Sequence, residues 1–559
     1  MKNSSCNKLV FAFFVLFSLI SVGKSAVDSL KVHNETYFTG FTSLDSLYSI
    51  SKLGTEIESI LSKNSKLLGK TNYGIGVYSL NQNKWYYKRN IKKSLTPAST
   101  TKLITTFTLL NQTGKNFNIS TEVYHDGKVD SEGNLKGNLY IRGKGDALFS
   151  TGDLEMLADK VKNSGIRKIT GNIYADPTFY DEKVERIDYS GDNDVVQATP
   201  SITALNIDRN TATIIVSAGK KRGDSPNVNV LPSSDSHIII NNAKVVTYVP
   251  PKRKRSKRKS RGAGFEQNDI KSSLPYRENV AGDFRSMMLL SSAAGIRVST
   301  KMASDGKQQF IVSGNIKANT TYTYQHLIHN PSLTIAGAFK NRLKAGGITI
   351  SGNIGVLSRD EADSVKRSFT FVTDFKRPVV DIINIMNKES DNYLAEILYK
   401  MIGANAGNNK DNAAGSRILQ DSILCSIDSN SCLINDGSGL SRRNYVTVEA
   451  LVQILISAHH SPFHQEYRNS LSIASVDGTL RKRFKLTPAE GNMHAKTGTL
   501  RNASALAGYV KTVDGEDLVF TFIFNGPNVG SYKMIENEIG IAISSFKMQE
   551  VKPDVLEKK

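Results

Sequence analysis

The hydrophobic period of this chain changes twice, and no other feature restricts its fold as much. Across 46–68 an apolar residue recurs every three or four positions (Leu47, Ile50, Leu53, Ile57, Ile60, Leu61), the spacing of a helix with one buried face. Residues 73–81 then alternate like a strand, and Asn81-Gln82-Asn83 supplies a turn into Trp85-Tyr86-Tyr87, which predicts a hairpin. A helical stretch over 100–110 follows. Beyond about residue 120 short alternating segments take over (137–142, 169–175, 212–217, 237–240), punctuated by Gly, Asn, Asp and Pro, with one helix near 153–164. Helical spacing returns from residue 375, and a strand over 519–524 precedes a last helix near 534–546. The simplest arrangement is one domain that opens and closes the chain, 26–120 with 373–559, around strand-rich α+β material at 121–372. Gly171-Asn172-Ile173 and Gly352-Asn353-Ile354 each follow a helix-like stretch and a short strand, which points to two related submodules in the insertion.

The first 25 residues state a destination. Lys2 and Lys8 precede an apolar run at 9–22, and Gly23-Lys24-Ser25 offers small residues at the −3 and −1 positions of a cut after Ser25. The run is shorter than the ~20 residues a helix needs to cross a bilayer, so a cleaved export signal fits better than an anchor. The expected location is outside the cytoplasm, in the periplasm or against its membrane. Past the signal only Cys425 and Cys432 remain; in an oxidising compartment they suggest one local disulfide, against two separate thiols. Lys and Arg exceed Asp and Glu by 20. Eight of those basic residues fall within 252–261, inside a loop marked off at 250–264 by Pro250-Pro251 and Gly262-Ala263-Gly264. Outside the cytoplasm such a run would meet anionic headgroups or acidic wall polymers, and nucleic acid is not an expected partner.

Three short motifs carry the chemistry. Ser99-Thr100-Thr101-Lys102 begins a predicted helix just after Pro97; Ser390-Asp391-Asn392 opens another; Lys496-Thr497-Gly498 lies in a strand-like segment. A serine hydroxyl is a poor nucleophile until a base takes its proton, and residues three apart on a helix share a face, so Lys102 can reach Ser99. To act as that base the lysine must be neutral at least transiently, which calls for burial plus neighbouring positive charge. The helix start leaves the Ser99 N–H for a developing oxyanion, and the Thr499 N–H on an edge strand is its expected partner. Gly498 leaves room for a substrate backbone along that strand. Lys496 and Thr497 offer a charge and a hydroxyl to a free carboxylate. Ser390 and Asn392, on a facing helix, can relay a proton to the leaving amine and hold the substrate amide. Each motif alone is a common surface sequence; their order in an exported protein is what gives them weight.

With the phrases Gly143-Lys144-Gly145-Asp146, Ser201-Ile202-Thr203-Ala204-Leu205-Asn206, Asp436-Gly437-Ser438-Gly439-Leu440-Ser441-Arg442 and Val476-Asp477-Gly478-Thr479-Leu480, the chain resembles the low-molecular-mass class C penicillin-binding proteins, the D-alanyl-D-alanine carboxypeptidase/endopeptidase family. The resemblance implies a multidomain α/β chain: a penicillin-binding/β-lactamase-like transpeptidase domain, an antiparallel sheet flanked by helices, with strand-rich inserted domains. It implies a serine DD-peptidase that needs no cofactor or metal. Such an enzyme cuts the terminal D-Ala-D-Ala bond of peptidoglycan stem peptides, and D-Ala–diamino acid cross-links, through an acyl-enzyme on Ser99 that β-lactams also form. It further implies that Arg442 lines a pocket for the diamino-acid side chain together with an acidic residue of the insertion, Asp192 or Asp194. The chain departs from the family in the basic run and in Arg501, which stands where a smaller polar residue is usual. A β-lactamase would need machinery for fast deacylation that is not recognisable here, and an idle wall-binding scaffold would not need Ser99, Lys102 and Lys496 intact.

Overall fold

The first and last strands of the outer domain are neighbours. In the computed structural model, which describes residues 44–192, 199–247, 295–408, 410–427 and 432–548, β1 (Asn72–Ser79) pairs antiparallel with β2 (Lys84–Arg89) on one side and with β6 (Asp517–Asn525) on the other. β3 (Ser472–Ile473), β4 (His494–Leu500) and β5 (Ala503–Lys511) complete a six-stranded antiparallel sheet in the order β3-β4-β5-β6-β1-β2. The export signal, Asp194 and the basic run lie outside the described residues.

The two-residue period of β6 sorts its side chains between two cores. Phe520, Phe522 and Phe524 face α1 (Leu44–Lys63) and α7 (Val529–Ser545), burying Leu53, Ile57, Ile535 and Ile539. Val519 and Ile523 face the other side, where α2 (Thr101–Thr113), α3 (Val379–Lys388), α4 (Asn392–Asn405), α5 (Asn412–Ile427) and α6 (Val448–His459) gather. Every residue of α2 from Thr101 to Leu110 is buried, so this helix runs through the middle of the domain. A central helix whose side chains from Thr101 to Leu110 are, Lys102 apart, apolar or threonine all round is consistent with that placement.

The insertion enters on the strand Asn118–His125 and leaves on Thr370–Pro378, and those two strands pair antiparallel. Between them lie a five-stranded and a four-stranded sheet, two three-stranded sheets, and the helices Thr151–Asn163 and Pro331–Ala345. A single continuous core, including Leu135, Phe149, Ile214, Phe310 and Phe339, joins them. The two Gly-Asn-Ile segments each follow a helix and a two-residue strand, Thr151–Asn163 with Lys168–Ile169 and Pro331–Ala345 with Thr349–Ile350, and the two units lie side by side. The segments are adjacent rungs of one sheet: Ile354 aligns with Ile173, and Ile173 with Leu139 of a third copy, Gly137-Asn138-Leu139. Each asparagine side chain accepts the next rung's N–H: Asn172 to Asn138 Oδ1 and Asn353 to Asn172 Oδ1, both at 2.8 Å. The glycines are required because the rungs touch; a Cβ on Gly171 would lie 2.4 Å from the Gly137 carbonyl oxygen, and one on Gly352 2.2 Å from that of Gly171.

Candidate active site

Pro97 leads into a short 3-10 turn, Ala98–Thr100, that runs directly into α2 and places Ser99 at its mouth. Glycines on either side let two other segments close on this turn. A Cβ on Gly439, whose φ is +84°, would sit 1.9 Å from the Ala98 carbonyl oxygen, and one on Gly498 2.7 Å from that of Pro97. One helical turn on, Lys102 is wholly buried. Its Nζ lies 3.0 Å from Ser99 Oγ, 2.9 Å from Asn392 Oδ1 and 2.5 Å from the Ser438 carbonyl oxygen. The Ser99 hydroxyl also reaches that carbonyl, at 3.3 Å.

Burial pulls the Lys102 pKa down to about 8, against the carboxylates of Asp436, Glu396 and Asp391, which favour the ammonium. Desolvation is what lowers it and the carboxylates oppose the fall; the neighbouring positive charge expected from the sequence is that of Lys496. A neutral amine in this site gives its two N–H bonds to Asn392 and Ser438 and turns its lone pair to the Ser99 hydroxyl.

The second motif is not on a helix as a whole. Ser390 occupies the turn between α3 and α4 with φ +57°, Asp391 caps α4 by accepting the Leu394 N–H at 2.9 Å, and Asn392 is the first helical residue. The sequence Ser-Asp-Asn reads as a helix start, but the cap is its middle residue. On β4, Lys496 is buried and donates to Ser390 Oγ at 2.8 Å and to the Thr497 carbonyl at 3.0 Å. Burial, and then the charge of Lys102, hold its pKa well below the ordinary lysine value. β3 pairs with β4 only at His494 and Ala495, so from Lys496 onward that edge of the sheet is open. Thr499 is exposed on it, Gly498 is buried, and Thr497 donates its hydroxyl hydrogen to Thr479 Oγ1 at 2.8 Å. Ser99, Lys102, Ser390, Asn392, Lys496, Thr497, Gly498 and Thr499 thus border one cleft.

Of the remaining expected residues, Arg442 and Asp192 are on or against the segment that carries Gly439. Arg442 is exposed on the turn after Ser441. The Asp192 side chain is buried against the Arg186 guanidinium, to which it supplies a counter-charge away from water, and accepts the Ser441 hydroxyl at 3.1 Å. Cys425 and Cys432 are half-buried, and residues 428–431 between them are outside the described set. Four contributors to the site were not assigned roles from sequence: Ser438, Asp436, Glu396 and Thr479. Their phrases were visible, but no local pattern says that a backbone carbonyl or a buried acid stands behind Lys102. Among the described residues no cluster of His, Cys, Asp and Glu could hold a metal ion, and no helix is long and apolar enough to cross a membrane.

The model of the family described as D-Ala-D-Ala carboxypeptidase 3 (S13) matches residues 53–321 and 284–545. A D-alanyl-D-alanine carboxypeptidase of Actinomadura sp. is 26% identical over 508 residues, 89% of this chain and 85% of that protein. D-alanyl-D-alanine carboxypeptidase DacB of Haemophilus influenzae is 23% identical over 471 residues, 83% of this chain and 88% of its own. The crystal structure of penicillin binding protein 4 (dacB) from the same organism superposes with a TM-score of 0.61 at 21% identity, covering 87% of this chain and 97% of that one, and shares its fold.

Proposed function

The chain belongs to the D-Ala-D-Ala carboxypeptidase 3 (S13) family, whose members are serine-type carboxypeptidase hydrolases, and from that premise we propose that Ser99 is its nucleophile. The substrate is the D-alanyl-D-alanine end of a peptidoglycan stem peptide. The observation that carries this reading is a wholly buried lysine 3.0 Å from a serine hydroxyl at the start of a helix, beside an open strand edge. Ser99 Oγ bonds to the carbonyl carbon of the penultimate D-Ala while its proton passes to Lys102 Nζ. The carbonyl oxygen, now an alkoxide, takes the N–H groups of Ser99 and Thr499. Lys496 and Thr497 hold the terminal carboxylate. Collapse breaks the C–N bond, and the proton that Lys102 took from Ser99 passes to the departing amine by way of the Ser390 hydroxyl, which Lys496 touches at 2.8 Å, so that Lys102 is neutral again. A water then attacks the ester carbonyl as Lys102 takes its proton; the bond to Ser99 Oγ breaks, Lys102 hands that proton to Ser99 Oγ, and the peptide leaves with a new carboxyl end.

The same arrangement would cleave a D-Ala–diamino acid cross-link, whose scissile bond has the same D-Ala carbonyl, and would be acylated by a β-lactam, which presents a strained amide and a carboxylate. Arg442 at the exposed turn is our candidate for the diamino-acid side chain. The protein works in the periplasm, where this substrate is. The test is mass spectrometry after benzylpenicillin treatment: one adduct, on the peptide containing Ser99, supports the reading, and labelling that survives Ser99→Ala overturns it. Products released from purified muropeptides separate the carboxypeptidase from the endopeptidase reaction.

A further inference from the structure

Behind Lys102 lies a buried charged group that touches no substrate. Glu396 sits in α4 four residues after Asn392, on the same helix face, and is wholly buried. Its Oε1 accepts the Ser438 N–H at 3.0 Å, and its Oε2 accepts the Gly437 N–H at 3.3 Å and the Tyr189 hydroxyl at 3.1 Å. Asp436 accepts the N–H groups of Gly439 at 2.9 Å and Ser441 at 2.7 Å, and also takes Arg186 Nη1 at 3.1 Å. The peptide joining Ser438 to Gly439 therefore points its N–H at the Asp436 carboxylate and its oxygen at Lys102 Nζ, 2.5 Å away. A carboxylate at one end of an amide polarises it toward a cation at the other.

We propose that Glu396, Asp436 and Arg186 form a positioning group that sets the basicity of Lys102 through the turn at 437–439. This rests on the reading of Lys102 as the base for Ser99. The site offers an internal contrast. Lys102 and Lys496 are both wholly buried and both lowered by burial, but carboxylates oppose the fall at Lys102, while the charged neighbour of Lys496 is Lys102, which adds to it. The counter-charge has to offset burial without leaving Lys102 permanently protonated. Arg186 tempers it by pairing with Asp436 and Asp192. The other charged groups facing this region are also engaged: Asp391 with Arg209 of the insertion at 2.7 Å, and Lys496 with Ser390. Burial and Asp436 raise the Glu396 carboxyl above its ordinary range, while the bond from Ser438, the Arg186 charge and the bond from Gly437 oppose that rise.

The experiment reads the acid limb of the rate of Ser99 acylation by benzylpenicillin against pH in the full-length protein. Glu396→Gln keeps the shape and removes a negative charge, which lowers the Lys102 pKa. The limb should move to lower pH by about one unit or more, the effect of one unit charge within ~10 Å at an effective dielectric near ~20. Arg186→Met unmasks Asp436 and should move the limb to higher pH. Damage to packing slows acylation but does not shift the limb in opposite directions in two variants. If Arg186→Met does not fold, Tyr189→Phe replaces it: loss of one donor to Glu396 should shift the limb the same way as Glu396→Gln, by less. A static limb in Glu396→Gln with the adduct still on Ser99, or shifts of the same sign in Glu396→Gln and Arg186→Met, overturns the inference alone. Labelling independent of Ser99 or Lys102 overturns the underlying reading instead.

Discussion

Lys102 and Lys496 enter the same cleft from a helix and a strand, and they should fail differently when truncated. Lys102→Ala removes the proton acceptor, so acylation by penicillin should fall by about 10²–10⁴, the usual contribution of a positioned base. Lys496→Ala should leave measurable labelling of Ser99 but raise KM and lower kcat/KM for D-Ala-D-Ala peptides, because the carboxylate contact is lost. Stopped-flow acylation and steady-state peptide hydrolysis separate the two. The pH dependence has a fixed sign: a base with a pKa of about 8 is protonated below that value, so acylation should slow as pH falls through 8 and level off above it. An acid limb near 10.5, the ordinary lysine value, would mean that burial does not act on Lys102 as described.

At the level of elements, the cleft depends on how closely β4 approaches the turn before α2. Gly498→Ala puts a Cβ 2.7 Å from the Pro97 carbonyl oxygen and 3.2 Å from the Ala98 Cβ, which must push the strand away from Ser99. A displacement of that kind can cost ~10²-fold in rate, so kcat/KM should fall by about one to two decades while circular dichroism shows the fold retained. The elements themselves were largely legible: the periods of 46–68, 73–81, 212–217 and 519–524 became α1, β1, the strand Thr211–Ser217 and β6. The three motifs were legible because each is a local string. What surrounds them was not. Arg186 reaches Asp436 across 250 positions, and Glu396 reaches the Ser438 N–H across 42; nothing near any of these residues announces the pairing. The turn at Ser390 was hidden for another reason, since a left-handed serine followed by a capping aspartate looks in sequence like an ordinary helix start. The Gly-Asn rungs were half seen, because alternation identifies a strand but says nothing of which strand lies beside it.

Over the whole molecule, the insertion meets the outer domain through apolar packing, with Tyr180, Tyr189 and Ile202 in the same core as α2 and α4, and through ion pairs. Arg186 and Arg209 both come from it, and they meet Asp436 and Asp391 beside the cleft. The basic run at 252–261 is separate in sequence from those contacts. Deleting it should reduce salt-sensitive binding to anionic vesicles or wall sacculi and leave turnover of a small D-Ala-D-Ala peptide unchanged, since attraction of this kind is screened over ~8 Å at physiological salt. Loss of small-peptide turnover would place the run in the active site instead. The pairing of β1 with β6 sets an order of events for the chain as it is made. Residues from Asn118 to Pro378 include both strands that close the insertion, so its sheets have all their strands once position 378 has emerged. The strand that follows α1 must wait for Asp517–Asn525, and in the meantime it has only β2 and α1 against it, while α2 lacks α6 until residue 459 has emerged. Contacts so distant in sequence form slowly, and intermediates with exposed apolar surface aggregate. The chain therefore has reason to stay unfolded, or to be sheltered by a chaperone, until its synthesis is nearly over, and the ability to bind penicillin should be the last property it acquires.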